Sequence, residues 1–449
     1  METTEELLDE VRALIQARER DGIASLAGRV SPAAWADVVP RLDPGEIAVL
    51  LQWLPDEEIP TLLTELDPAQ AAAILRTLSR NEAADVLEAM SPDDATDVIA
   101  ELPEAEAQQI LVEMEPAEAA ELRELAAYPP DTAGGIMTPA FTAVSPDLQA
   151  DQAIIALRRV AEEAETVYYV YVLDPEEHLL GVLSLHSLVL APPQTPVRAL
   201  MIENVTSVLV DADQETAARL LTDHNLLALP VVDAENRLLG IITQDDVADV
   251  LEEEATEDIE RLGGSQPLET SYRLAPVKLL VRRRVVWLLM LFLAEAYTGT
   301  VLRHYQTETE KVIALSFFVP LLIGTGGNVG SQTVTTLVRA MALGEVRLRD
   351  VRWVMAKEVA VATTMGVIMA VVAFGRSALL HVGRDVGYVV ALTVFAICVW
   401  SATVAAVLPL ILRKLRIDPA VVSAPLITTL VDGTGLVIYF SIAKVVLGL

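Results

Sequence analysis

A single carboxylate, Asp432, sits inside the last apolar stretch of this 449-residue chain. Residues 421–449 read VVSAPLITTLVDGTGLVIYFSIAKVVLGL, long enough to cross a bilayer. Thr428, Thr429, Thr434, Gly433 and Gly435 surround the acid. A carboxylate at the centre of a membrane helix costs about 3 kcal/mol or more. Such a group faces a water-filled path or a bound ion, or it is a structural acid hydrogen-bonded to a neighbouring helix. A second unusual stretch is PLLIGTGGNVGSQ at 320–332, with four glycines and a proline within eleven residues. That content weakens an ordinary helix, and small residues let helices approach closely. Carbonyls exposed at that depth would need water, an ion or another helix. Gly326, Gly327 and Asn328 are therefore candidate pore-lining positions, and close packing alone is the competing reading.

A second set of candidate ligands is acidic and lies outside the apolar segments. Residues 245–260, DDVADVLEEEATEDIE, carry acids at helical spacing, with Asp246, Asp249, Glu253, Glu257 and Glu260 on one face. Asp93 and Asp97 form an i, i+4 pair, suited either to a bridging cation or to plain solvation. There is no P-loop, HExxH or nucleophile–His–acid arrangement, so the expectation is that this is not an enzyme.

The elements that must position these groups follow from pattern. Leu42, Leu54, Leu66, Leu78, Met90, Leu102 and Met114 recur every twelve residues, most followed by Pro, an acid and small apolar residues. Each unit predicts one short helix opened by proline, and stacked units predict an α-solenoid. From about residue 131, strand and helix alternate. Val170–Asp174 matches Pro230–Asp233, and Leu180–Leu185 matches Leu239–Thr243. This predicts a tandem βαββα unit resembling a pair of CBS domains. In CBS pairs a Thr-x-x-Asp pattern often grips a nucleotide ribose; the second unit has Thr243 and Asp246, whereas the first has Ser184 and Ser187. ATP binding is left open, with the missing acid weighing against it.

Charge divides the chain. Residues 1–270 hold 14 Lys+Arg against 55 Asp+Glu, a formal −41, and contain no lysine; residues 271–449 hold 18 against 9, or +9. A region at −41 repels itself unless cations neutralise it, and it excludes nucleic acid as a partner. Apolar stretches at about 280–303, 311–343, 351–380, 386–412 and 421–447 predict five membrane spans. Lys278 and Arg282–Arg284, then Arg339, Arg347, Arg349, Arg352 and Lys357, then Arg413, Lys414 and Arg416 mark one side. Arg303, Lys311, Arg376 and Arg384 form a thinner set on the other. The basic excess predicts N-terminus inside and C-terminus outside, which five spans satisfy. The opening METTEELLDE has no signal-peptide character, so residues 1–270 are expected in the cytosol. Cys398, the one cysteine, excludes an intrachain disulfide.

The parts in this order resemble the MgtE-type bacterial magnesium channels. FFVPLLIGTGGNVGSQ at 317–332, RAMALGE at 339–345 and DPAVVSAPLITTLVDGTG at 418–435 carry the resemblance. It implies a multidomain protein: acidic α-solenoid N domain (1–130), α/β tandem CBS pair (131–245), acidic connecting helix (246–270) and an all-α five-helix membrane domain (271–449). It implies a homodimer in the cytoplasmic membrane, contacting lipid, with Mg2+ both transported and regulatory. Asp432 matches the pore acid, and Thr428 the carbonyl level one turn earlier. Regulatory metal residues match at Asp93, Asp97, Asp213, Glu215, Asp246, Asp249, Glu254, Glu257, Asp258 and Asp418. Asn225 and Thr61 stand where the family has acids. The competing function is an ion-coupled carrier of Mg2+, Co2+ or Mn2+.

Overall fold

The structure is a computed structural model describing residues 4–160, 164–268, 272, 275–415 and 417–449. It divides into two compact units, Met1–Glu253 and Glu254–Leu449. The helix Gln244–Leu262 passes from one to the other.

The first unit opens with a stack of short helices. Pro44–Trp53, Pro68–Leu75, Pro92–Ala100 and Pro116–Leu125 each start on proline, at intervals of 24 residues. Proline suits this position because its missing N–H would have no intrahelical partner there. The helices between them, Glu58–Thr64, Arg80–Glu88 and Glu104–Glu113, start on glutamate or arginine. Asp43 with Glu46, and Ser79 with Glu82, close reciprocal caps. From Glu58 onward the helices pack on the next but one: Pro68–Leu75 on Pro92–Ala100 and that on Pro116–Leu125, Glu58–Thr64 on Arg80–Glu88 and that on Glu104–Glu113. The twelve-residue period is thus half of a two-helix repeat, and the helices form two alternating layers. Leu42, Leu54, Leu66, Met90, Leu102 and Met114 are buried at the joints between helices, with Leu78 packed against the same core.

Two three-stranded sheets follow. In the first, β1 (Ala143–Val144) pairs parallel with β2 (Tyr169–Leu173), which pairs antiparallel with β3 (Leu179–Ser184). The second repeats this with β4 (Val208–Leu209), β5 (Ala228–Val232) and β6 (Leu238–Thr243). The repeats are crossed. Thr138, ahead of the first unit, exchanges backbone hydrogen bonds with Ile241 of β6; Ile202, ahead of the second, does so with Val182 of β3. Gly240 and Gly181 permit these approaches, since a Cβ there would lie 2.8 and 3.0 Å from the carbonyls of Thr138 and Ile202. The expected βαββα pair is present.

The second unit contains, among the described residues, five helices long and apolar enough to cross a membrane. They are Val277–His304, Ile313–Ala342, Leu348–Leu379, Arg384–Lys414 and Ala424–Leu447, here called spans one to five. Span two packs on spans four and five, three on four, and one on five. The glycine-rich segment does not break span two: Val319–Ala342 is one continuous helix. Its glycines serve contact instead. A side chain at Gly326 would meet Val431 and Ile397, one at Gly327 would meet Thr428, and one at Gly330 would meet Ile427 and Ser401. Ser401 Oγ donates to the Gly326 carbonyl at 2.6 Å. Arg413 Nη1 donates to the Val346 carbonyl at 2.9 Å, so the joints between spans two and three and between spans four and five lie together. Arg416, expected to add to that basic set, lies outside the described residues.

Candidate metal sites

In the membrane unit, Asp432 is held in span five by its helix and by tight neighbours. It is 7% exposed, and its Oδ1 has no hydrogen-bond partner among the described residues. Burying an unpaired carboxylate oxygen is costly, so the position favours a cation or water at that atom. Thr428 lies one turn earlier on the same face, its hydroxyl donating to the Ala424 carbonyl at 3.0 Å. Trp400 Nε1 donates to Thr434 Oγ1 at 2.9 Å. Gly326 and Gly327 are buried in the helix contacts described above, whereas Asn328 is exposed on the surface of the single chain. Sequence reasoning passed over Glu295 in span one, whose charge acts on Asp432. The signal was available: it is also an acid inside an apolar span.

At one end of span five, Asp418 Oδ1 accepts from the Ala420 N–H at 2.8 Å, while Oδ2 is paired with Arg261. Arg261 also pairs with Glu257, one turn back on its own helix. The chain after that helix docks locally: Gln266 N donates to the Arg283 carbonyl at 3.1 Å, and Gly264, at φ +77°, lies under Trp287. Trp287 Nε1 donates to Ser423 Oγ at 3.2 Å, and Ser423 caps span five. A guanidinium therefore lies between Glu257 and Asp418, two of the acids that the resemblance implies as regulatory metal residues. Glu254 and Asp258 lie half-buried on the same helix.

In the first unit the predicted acids converge. Pro92–Ala100 carries Asp93 and Asp97; Asp246 and Asp249 open the helix after β6. Burial, then the charges of Asp246, Asp94 and Glu165, push Asp93 well above the usual carboxylate range. Its Oδ1 is buried without a hydrogen-bond partner among the described residues. Asp97 is pushed up to about 7 by burial and by Asp94, Asp246 and Glu253. Asp246 also rises to about 7, burial outweighing its hydrogen bonds from the Thr243 N–H and hydroxyl, both at 2.8 Å. Asp249 is raised by burial and by Glu252, Asp245 and Asp94. An all-oxygen, mutually repelling set suits a hard divalent cation. Asp94, Asp245, Glu253 and Glu165 were not singled out as ligands. The first three adjoin predicted acids; Glu165 arrives from a loop with no local signal.

The remaining candidates are engaged by protein groups. Asp213 caps the helix Gln214–Asp223 through the Thr216 N–H, and Glu215 pairs with Arg219. Asn225 adopts φ +50°, a left-handed position just past that helix, which asparagine tolerates better than an acid with a longer side chain. Ser184 and Ser187 hydrogen-bond to each other at 2.8 Å, so the Thr–Asp pair exists in the second CBS repeat alone. Asp174, Glu176 and His178 bring ligand atoms within 4.8 Å of one another at the β2–β3 turn. The β5–β6 turn repeats that geometry with Asp233, Glu235 and Arg237, which identifies it as a turn-stabilising arrangement.

Comparison with known proteins gives three family matches: "Divalent cation transporter" at residues 319–442, "MgtE intracellular N domain" at 30–131 and "CBS domain" at 197–253. The magnesium transporter MgtE of Thermus thermophilus is 44% identical over 334 residues, covering 73% of each chain. That of Bacillus subtilis is 34% identical over 319 residues, covering 71% of this chain and 70% of its own. Among solved structures, the cytosolic domain of the Mg2+ channel MgtE in complex with ATP aligns with TM-score 0.52 and 35% identity. It covers 54% of this chain and 99% of that one. The soluble part of a magnesium transporter aligns with TM-score 0.52 and 31% identity, covering 56% and 100%.

Proposed function

Because the chain belongs to the MgtE family of divalent cation transporters, we propose that it is a Mg2+ channel whose path passes Asp432 and whose acidic domains close it when Mg2+ is plentiful. The observation that carries the reading is the buried, unpartnered Asp432 oxygen in a span lined by threonine and glycine. Mg2+ takes oxygen ligands octahedrally and sheds water reluctantly. A carboxylate with the Thr428 carbonyl level beneath it can hold the ion through its waters, weakly enough to release it. Softer ligands are kept away: Cys398 is buried in the core of span four, and His304 and His381 lie at span ends.

The working assembly in this reading is a homodimer in the cytoplasmic membrane, with Asp432 contributed by each subunit. Residues 1–270 face the cytosol and the C-terminus lies outside, the orientation the basic residues favour. The domain limits remain those read from sequence: N domain 1–130, CBS pair 131–245, connecting helix 246–270, pore 271–449. Mg2+ acts as a brake by binding the compact cytosolic state better than the loose one, through Asp93, Asp97, Asp246 and Asp249. Asp213, Glu215, Glu254, Glu257, Asp258 and Asp418 are the further regulatory acids. A nucleotide would have only the Thr243–Asp246 half of a ribose grip. The alternative, a carrier coupled to H+ or Na+, differs in needing a driving gradient.

The test is electrical recording from purified full-length protein in bilayers, one divalent cation at a time. Single-channel Mg2+ currents without a coupling gradient are expected, and Asp432→Ala and Asp432→Asn should abolish them while the protein stays folded. Near-normal Mg2+ conduction by Asp432→Ala would overturn the pore assignment, and flux that requires a pH or Na+ gradient would favour the carrier.

A further inference from the structure

Asp432 does not stand alone at its depth. Span one runs beside span five, and Glu295 is the acid whose charge reaches Asp432. One turn on from Glu295, Thr298 is 5% exposed and its Oγ1 has no hydrogen-bond partner among the described residues. Thr393 in span four shares that state, whereas Thr300, Thr325, Thr428 and Thr434 each donate to the carbonyl four residues back. A Cβ on Gly433 would lie 3.3 Å from the Thr298 hydroxyl, so this oxygen faces span five directly beside Asp432. Two oxygens without partners, one from each span, thus lie at neighbouring positions of the contact between spans one and five. Such a group is costly in a membrane unless a cation or ordered water completes it.

We propose that Glu295 and Thr298 complete, with Asp432, a divalent-cation site between spans one and five, Glu295 supplying a second carboxylate and Thr298 a neutral oxygen. Glu295 and Thr298 occupy one face of span one at i and i+3, and Gly433 lets that span approach closely, the Tyr297 ring filling the place of its missing side chain. The ion keeps most of its waters, and the second carboxylate raises the local concentration of divalent over monovalent cations. The site rests on the reading of Asp432 as an ion-contacting residue.

The experiment measures Mg2+ uptake by full-length protein in proteoliposomes against Mg2+ concentration, for Glu295→Gln, Glu295→Asp and Asp432→Asn. Removing one of two nearby charges in a partly dry site should raise the half-saturating concentration about tenfold in Glu295→Gln. Glu295→Asp keeps the charge and should stay within about twofold of wild type. A wild-type concentration dependence in Glu295→Gln overturns the site, as does equal impairment in the Gln and Asp variants, which would mark a requirement for side-chain size. In either case, lost uptake by Asp432→Asn leaves the reading of Asp432 standing. Wild-type uptake by Asp432→Asn removes that reading and the present site with it.

Discussion

Arg261 shows how far individual residues can be read. The acids Glu257 and Asp418 were legible in the sequence, one from helical periodicity and one from the family motif. Their shared counter-charge was not, because 157 positions separate Arg261 from Asp418 and no local pattern links them. The guanidinium pairs with both carboxylates, whose side chains are 26% and 37% exposed. Partly exposed pairs of this kind contribute about 1 kcal/mol. Arg261→Gln should therefore loosen this contact roughly fivefold without Mg2+, and Mg2+ should restore it by bridging the two acids. Proteolysis around residues 262–268 measures this: protection independent of Mg2+ in wild type and dependent on it in Arg261→Gln. Protection unchanged by the substitution would show that Arg261 is not what holds the contact. Asp432 was legible for the opposite reason, since an acid in an apolar run is conspicuous without any partner.

Among elements, the helix Pro92–Ala100 and the start of Gln244–Leu262 form the contact most sensitive to solution conditions. Asp93, Asp97, Asp246 and Asp249 all sit above their ordinary carboxylate values in the folded chain. A carboxyl raised by folding favours the folded contact fully at pH below its unfolded value, about 4. That contribution is lost as pH rises through the folded value, here about 7 for Asp97 and Asp246. Without divalent cations, protease resistance between these two helices should thus be high at about pH 5.5 and low at about pH 8. Mg2+ in the millimolar range should restore it at the higher pH by replacing protons. Resistance that is flat with pH would show these acids to be solvated in solution. The repeat that builds this helix was legible because proline and buried leucine recur at fixed spacing. Its true two-helix period was obscured because every joint, not every second one, carries a Leu or Met packed on the core. The glycine run misled at the same scale: glycine weakens an isolated helix, but close contacts to Val431, Ile397, Thr428 and Ile427 keep span two continuous.

For the whole molecule, the charge division leads to a brake operated by many weak sites. A half at −41 is loosened by its own repulsion when cations are scarce. Several carboxylate sites acting together should give a steep closing response to millimolar cytosolic Mg2+. Neutralising Asp246, Asp249 and Glu257 together should leave the channel open at high cytosolic Mg2+ and reduce protection of residues 1–270 by Mg2+. Channel recordings with cytosolic Mg2+ varied check this; normal closure in the triple variant would sink the brake. The order of parts and the number of spans were legible because hydropathy, charge and repeat period each change sharply along the chain. The convergence of Glu165 with Asp93 was not, since folding alone brings that loop there.

The crossed strands at Thr138–Ile241 and Ile202–Val182 make the two CBS units hostages to each other. Each sheet borrows its outer pairing from the stretch that precedes the other unit. Either half expressed alone would present an unpaired edge, and an open edge recruits whatever strand it meets. Residues 131–196 and 197–253 made separately should therefore aggregate, yet reassemble into one soluble pair when co-expressed. Two full-length chains unfolded together at high concentration would have the same choice, and exchange of halves between chains is the misassembly this topology invites.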